Sequence, residues 1–408
     1  MNKSDREILK KLAERYMKAA LDPVNSERTA LWKALNRCEM ERPMVSADQL
    51  PWHELNPDGE LDCSVEDPFW RDIELNLRRE LYKWEHFPLD MVLNPFIRIP
   101  LAVSGNDYGM RIVEERLAVD AENEIVSHRY ENQLKNPEDI SKIKDMRITH
   151  DEHLSRQRLA EGEELFGSIA PVKSVGIQFH LGMWDFLSQW MGVENIYLDI
   201  YDRPDFLHAA MERLTAASEA GVRQANDLGV HDDNALTCHC AHVFTDEFFP
   251  AAGEGKGPVS GNSWAFGMAQ LFSGVSPEVT KEFEIPYISR LSEYFGGFYY
   301  GCCDKLDDRL ELVKSIPNLK KISCSPWSHR ESFAEKIGGN YVMSYKPNPA
   351  YVASADFEAV EKDLRQTVSC ARDFGANLEL VLKDVSTVAY RPESLSRWAE
   401  IAMKVVRE

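Results

Sequence analysis

Apolar positions recur in two rhythms along the chain, and the change between them divides the sequence. Over 5–20, Ile8, Leu9, Leu12, Tyr16 and Met17 fall on one face of a helix. Residues 26–38 predict a second helix with Ser26 as its cap. Residues 68–85 predict a third, with Pro68 in its first turn. The segment 44–66, rich in Pro, Trp, Asp and Glu, reads as loop. From 88 onward, short apolar runs alternate with amphipathic stretches. Strands are predicted at 91–97, 173–179, 234–240, 264–270, 298–302, 319–324, 340–345 and 377–383. Helices are predicted at 151–165, 204–228, 277–296, 306–316, 330–338, 355–374 and 393–407. Residues 110–118 and 124–130 alternate around Asp120-Ala121-Glu122-Asn123, the pattern of a hairpin.

Strand, helix, strand at this pace gives right-handed βαβ units and a parallel sheet. Eight such units close into a (β/α)8 TIM barrel. The expected division is helices and an insertion over 1–86, packed on a barrel over 87–408. No glycine-rich phosphate loop follows a predicted strand, so a nucleotide-binding open sheet has no positive support.

Charge narrows the partners. Lys plus Arg is 47 and Asp plus Glu is 67, a net charge of −20 over 408 residues. Nucleic-acid proteins carry a basic face, and anionic lipid attracts basic segments, so neither partner fits. No run of about 18 apolar residues suits a membrane span. The first residues lead into a charged helix without the apolar stretch of a secretion signal, so a cytoplasmic chain is expected. There the eight cysteines are expected as free thiols, core fillers or metal ligands.

In a barrel the active site lies at the C-terminal ends of the strands. The predicted ends carry His180; Cys238-His239-Cys240; Gly301-Cys302-Cys303-Asp304; Cys324 with His329; Lys346 with Asn348; and Lys383-Asp384. Thiolate and imidazole are ligands that zinc prefers, so Cys240, Cys302, Cys303, Cys324, His239 and His329 form the candidate pool. Asp304 and Asp308 are able to add an oxygen, and Cys302, Cys303, Cys324 and His329 are the expected metal set. Alternation along a strand allows only one of Cys302 and Cys303 to face inward. Asp304, His239 and His180 are the candidate proton-transfer groups. Lys346, Lys383 and Asn348 are candidates for binding a polar substrate group. Trp184, Trp264 and Tyr300 are candidates for stacking on a flat one. The competing assignment for the aromatics and isolated cysteines is ordinary packing.

Three stretches carry a family likeness. They are Ser26-Glu27-Arg28 through Glu41-Arg42-Pro43-Met44-Val45, the 201–229 helix, and 274–304 with its Ser-Pro-Glu start and Pro286-Tyr287 pair. Together the sequence resembles the uroporphyrinogen decarboxylase superfamily, nearest the branch with corrinoid-dependent methyltransferases. The resemblance implies a TIM barrel with helical N-terminal additions. It also implies methyl transfer between a small methylated substrate and a corrinoid carried by a partner protein, in an anaerobic methyl-transfer system. A homodimer is an allowed assembly. Two departures stand out. The Arg-rich loop of heme-pathway decarboxylases is missing, since only Arg37 and Arg42 lie between 37 and 60. The His-x-Cys zinc motif and the last-strand Cys of thiol-methylating members are replaced by Tyr300 or Gly301 and by Lys383-Asp384. The alternative activity is metal-independent decarboxylation of a small polycarboxylate, with Arg98, Arg330, Lys346 and Lys383 as cationic clamps.

Overall fold

A computed structural model describes residues 1–117, 126–248 and 257–408. Its centre is a parallel sheet of six strands. We number the long parallel strands β1 (Met44–Ala47), β2 (Ile97–Pro100), β3 (Val172–Val175), β4 (Trp264–Gly267), β5 (Gly297–Tyr300), β6 (Leu319–Cys324), β7 (Val342–Tyr345) and β8 (Asn377–Leu382). The six-stranded sheet runs β1-β8-β7-β6-β5-β4, and β2 and β3 form a separate parallel pair. A single bridge, His180 to Phe266, links the chain after β3 to β4. No ladder joins β1 to β2 among the described residues. The molecule is thus a mixed α/β fold with a parallel centre, and its strands are not shown to close into a ring.

The expected strands find counterparts only in part among the described residues. β1 lies in the stretch read as loop. It is four residues long, follows Pro43 and carries inward Ser46, so it has no apolar run to advertise it. Although β1 precedes residue 87, it is hydrogen-bonded to β8 along its whole length. The strand expected at 91–97 begins only at Ile97. The stretch 234–240 is not a parallel strand. It forms a tight hairpin, Thr237–Cys238 against Ala241–His242. The hairpin expected around 110–130 is present as Glu114–Leu117 against Ser127–Tyr130, and its tip at 120–123 lies outside the described residues.

Among the helices, Pro204–Leu228, Arg330–Ile337, Phe357–Phe374 and Glu393–Arg407 match their patterns closely. Ser26 is not a cap, because the helix Val24–Asn36 starts before it, with Pro23 at the N-cap. The helix expected at 277–296 breaks at Glu284 into Pro277–Phe283 and Ile285–Ser292. Pro286 explains the break, since its ring lacks an N–H and clashes with the preceding turn. The helix expected at 306–316 shrinks to Leu310–Val313. Met183–Met191 and Val193–Asp202 are helices that were not expected, although the first buries Met183, Trp184, Leu187, Trp190 and Met191 at helical spacing. No helix among the described residues is long and apolar enough to cross a membrane.

Burial separates the two faces of the sheet. Phe298, Tyr300, Ile322, Cys324, Met343, Tyr345, Leu378, Leu380 and Leu382 join the large core beneath the helices. Their strand neighbours point the other way. Phe266, Tyr299, Cys302 and Val381 form a second cluster with Cys238, Cys240 and Ala241 of the hairpin. Lys321, Ser323, Ser344 and Glu379 share that parity. The N-terminal helices Lys3–Ala20 and Pro68–His86 pack with Glu152–Phe166 and β2 around a separate apolar cluster.

Candidate active site

Three departures from regular backbone build the site. β5 ends at Tyr300, and Gly301 follows with φ of 90°. A Cβ at that position would lie 2.6 Å from Leu306 Cδ1, so glycine is required twice over. The turn at Gly301 ends strand alternation and allows both Cys302 and Cys303 to face the same centre. The expectation that only one could do so assumed a strand that has already stopped. At β8, Lys383 continues the inward parity, and Asp384 adopts φ of 54°. The reversal brings the carboxylate back beside the lysine. In the hairpin, His239 has φ of 54° at the first position of its two-residue turn. Such a turn calls for positive φ there, a conformation costly for a non-glycine residue.

These segments meet around the Lys383 ammonium. Nζ lies 2.7 Å from Cys302 Sγ, 3.0 Å from Asp384 Oδ2, 3.3 Å from His239 Nε2 and 3.9 Å from Cys303 Sγ. Cys302 Sγ is 3.6 Å from His239 Nε2 and 3.8 Å from Cys303 Sγ. The Cys303 thiol also reaches Asp384 Oδ2 at 2.7 Å. Asp304 Oδ1 accepts the backbone N–H of Cys302 at 2.7 Å, and Ser323 Oγ donates to the Cys302 carbonyl. The His239 ring stacks on Phe266, with centroids 4.1 Å apart.

The electrostatics follow from this geometry. The thiol hydrogen bond from Cys303 favours the Cys302 thiolate, burial opposes it, and His239 and Lys383 add to the stabilisation, so its pKa falls far below that of a free thiol. Cys303 moves up, because the same hydrogen bond and burial both favour its protonated form. Burial pulls Lys383 down, but the surrounding sulfurs and Asp384 outweigh it and hold the ammonium charged. Burial raises Asp304 to about 6 and Asp185 to about 7, with the Cys302 charge adding to both. His180 is lowered to about 4, first by desolvation and then by His239, although its edge reaches solvent.

The structure therefore brings together Cys302, Cys303, His239, Asp304 and Lys383 from the predicted set. His180 stands at the edge of the group, its ring centroid 6.1 Å from that of His239. Lys346 shares the inward face, donates to Ser344 Oγ at 2.6 Å and lies over the Tyr299 ring. Other candidates fall elsewhere. Cys324 faces the helix layer with the apolar core, one residue out of phase with inward Ser323. His329 is exposed in a separate groove with Arg330 and Gln366. Tyr300 points outward and donates to Glu284 at 3.1 Å. Trp184 is sealed against Phe272, and its indole donates to the Phe283 carbonyl. Trp264 starts β4, away from the strand's C-terminal end, and packs on Phe248. Asn348 caps the helix Pro349–Ala353. Two members of the site lay outside the predicted set. Asp384 was visible as the neighbour of Lys383. Asp185 had no signal, because the helix that carries it was not predicted.

Cys302, Cys303 and Asp384 offer donor atoms within 4.8 Å of one another. Two sulfurs and a carboxylate are donors that zinc accepts, and His239 stands beside them. The set thus fits zinc in kind. The Lys383 ammonium and a metal compete for the same sulfur, so binding requires the lysine to swing aside.

The chain matches no protein-family model, and no curated protein matches it in sequence. Solved structures do match. One, described as a methyltransferase from Methanosarcina mazei, has a TM-score of 0.51 and 12% sequence identity, covering 92% of this chain and 97% of that chain. At that identity the likeness is one of fold, spanning nearly the whole of both proteins.

Proposed function

We propose that the protein is a corrinoid-dependent methyltransferase of the uroporphyrinogen decarboxylase-like kind, built on a (β/α)8 barrel. It moves a methyl group between a small methylated substrate, such as an aryl methyl ether, and a corrinoid carried by a partner protein in the cytoplasm. The observation that carries this reading is the convergence of Cys302, Cys303, His239, Lys383 and Asp384 at strand ends. The shared fold with a methyltransferase supports it.

Cys302, Cys303 and Asp384 would hold zinc, with His239 as a further donor. Bound there, the metal supplies a Lewis acid that polarises the heteroatom bearing the methyl group. The remaining work falls to the chain. Before the metal binds, Lys383 keeps Cys302 ionised and ready to coordinate, and Asp304 fixes the Cys302 backbone so that the sulfur stays aimed. Asp185, with its pKa near 7, carries a proton that the departing oxygen can take as the methyl leaves. His180 stays neutral and offers a hydrogen bond without charge. Lys346 offers a hydrogen bond to a polar substrate group that reaches the inner face.

Decarboxylation of a polycarboxylate finds less support. Three of its four proposed clamps are engaged by carboxylates, Arg98 by Asp232, Arg330 by Asp363 and Lys383 by Asp384, and the fourth, Lys346, donates to the Ser344 hydroxyl. The deciding experiment supplies cob(I)alamin as methyl acceptor to zinc-replete protein with a panel of methyl donors. Methylcobalamin should form with at least one. A full panel giving none, or carbon dioxide release from a polycarboxylate instead, rejects the reading.

A further inference from the structure

Beside His180 lies a cavity of about 270 Å³ that the reacting groups do not fill. Tyr108, Phe186 and Trp190 form one wall, and Met110, Ile112 and Met146 form much of another. Phe186 and Trp190 sit one helical turn apart on Met183–Met191. Tyr108 packs edge-on to both, at 5.2 and 5.8 Å between centroids, and its hydroxyl is tied to Ser218 at 2.9 Å. The wall is therefore preformed. The thioethers of Met110 and Met146 give the opposite side some adaptability.

The polar lining is mostly uncharged. Gln178, Gln189 and Asn106 supply amides, and no Lys or Arg among the described residues lines the cavity. Asp107 is the one carboxylate among its described lining residues, and it accepts the N–H of Gly109 at 2.7 Å within its own turn. An anionic ligand would meet no countercharge. A quaternary ammonium wants aromatic faces arranged around a centre. Here Phe186 stacks on Trp190 and Tyr108 meets both edge-on, so the rings face one another. Size gives a second constraint. A dry cavity of about 150 Å³ holds benzene. The larger volume here accommodates one ring with one or two small substituents. His180 lines the cavity, and its ring neighbours Phe186 and His239, each at 6.1 Å between centroids.

We infer that this cavity is the substrate site and that it takes an uncharged, one-ring aromatic molecule, with a substituent directed past His180 toward Cys302. The inference rests on the methyl-transfer reading for the fate of that substituent, and on the cavity alone for binding.

The test is calorimetric titration of the purified chain with 2-methoxyphenol, 4-methoxybenzoate and tetramethylammonium, without any corrinoid. Saturable binding of 2-methoxyphenol is expected, at least about tenfold tighter than either charged probe. Ile112→Trp, at a position 47% exposed on the rim, should block that binding without threatening the fold. Phe186→Ala should weaken it about tenfold, with its melting profile as a check on folding. No binding of 2-methoxyphenol, tighter binding of a charged probe, or unchanged affinity in Ile112→Trp overturns the assignment. Binding as expected without methylcobalamin formation from any donor supports the cavity and rejects methyl transfer. Methyl transfer from an aliphatic donor, with no aromatic binding, does the reverse.

Discussion

The two faces of the six-stranded sheet obey different rules. On the helix side, Phe298, Ile322, Met343 and Leu380 are fully buried among apolar neighbours. Burial accounts for every one of them, at roughly 1.5–3 kcal/mol per large side chain. On the inner side the same strands carry Lys321 paired with Glu379 at 2.6 Å, and Lys383 against Cys302. These charges are just as deeply buried, and burial argues against them. Desolvating an ion pair costs several kcal/mol per ion, so a pair in such a place adds little stability of its own. What the contrast teaches is where selection for stability stops. The outer face is made to hold the fold, whereas the inner face holds charge that the fold would be better off without.

The largest expected effect strikes the inner face through activity. Cys302→Ser should lower methyl transfer by about 10³-fold, since a serine hydroxyl stays protonated beside Lys383. Its urea midpoint should stay near that of the parent. Methylcobalamin formation measures the first, and an unfolding curve the second. If activity survives, the thiolate has no part in the reaction.

Next comes the buried pair. Lys321→Met leaves Glu379 without its cation and should cost about 3–5 kcal/mol in urea unfolding. The double variant Lys321→Met with Glu379→Leu should recover most of that loss. A single variant as stable as the parent would mean that the inner face obeys the outer face's rule after all.

A pH titration sharpens the comparison further. Asp185 ionises near 7 in the fold and near 4 when unfolded, so between these values the folded state holds the extra proton. Stability contributed by the neutral acid is present at low pH and lost as pH rises from about 4 to about 7. Asp185→Asn should flatten that part of the stability profile and raise relative stability at pH 8. An unchanged slope would deny the carboxyl its raised pKa. The smallest effect belongs to the outer face. Ile322→Val removes one buried methylene and should cost about 1 kcal/mol, with activity unaffected.

Much of the site was legible because it is local. Cys302, Cys303 and Asp304 adjoin one another, and Lys383 ends an evident strand. Two of the misplaced residues share one cause. On a strand the side-chain period is two, so a boundary error of one residue exchanges inside for outside. Cys324 and Tyr300 were lost to that parity. Trp184 and Asp185 were misread together because Met183–Met191 had not been identified as a helix. β1 was missed because four residues, one of them a serine, make no pattern.

The sequence by itself determined the parallel α/β class and the gathering of thiols, imidazoles and lysines at strand ends. Both are written in short-range periodicity and in which residues follow each strand. The tertiary structure alone decided which of those groups meet. It did so through three backbone reversals, at Gly301, His239 and Asp384, that override strand alternation. A residue's allowed φ is local, but the contacts that hold His239 and Asp384 in an unfavourable one come from distant segments. No single stretch of sequence contains that information.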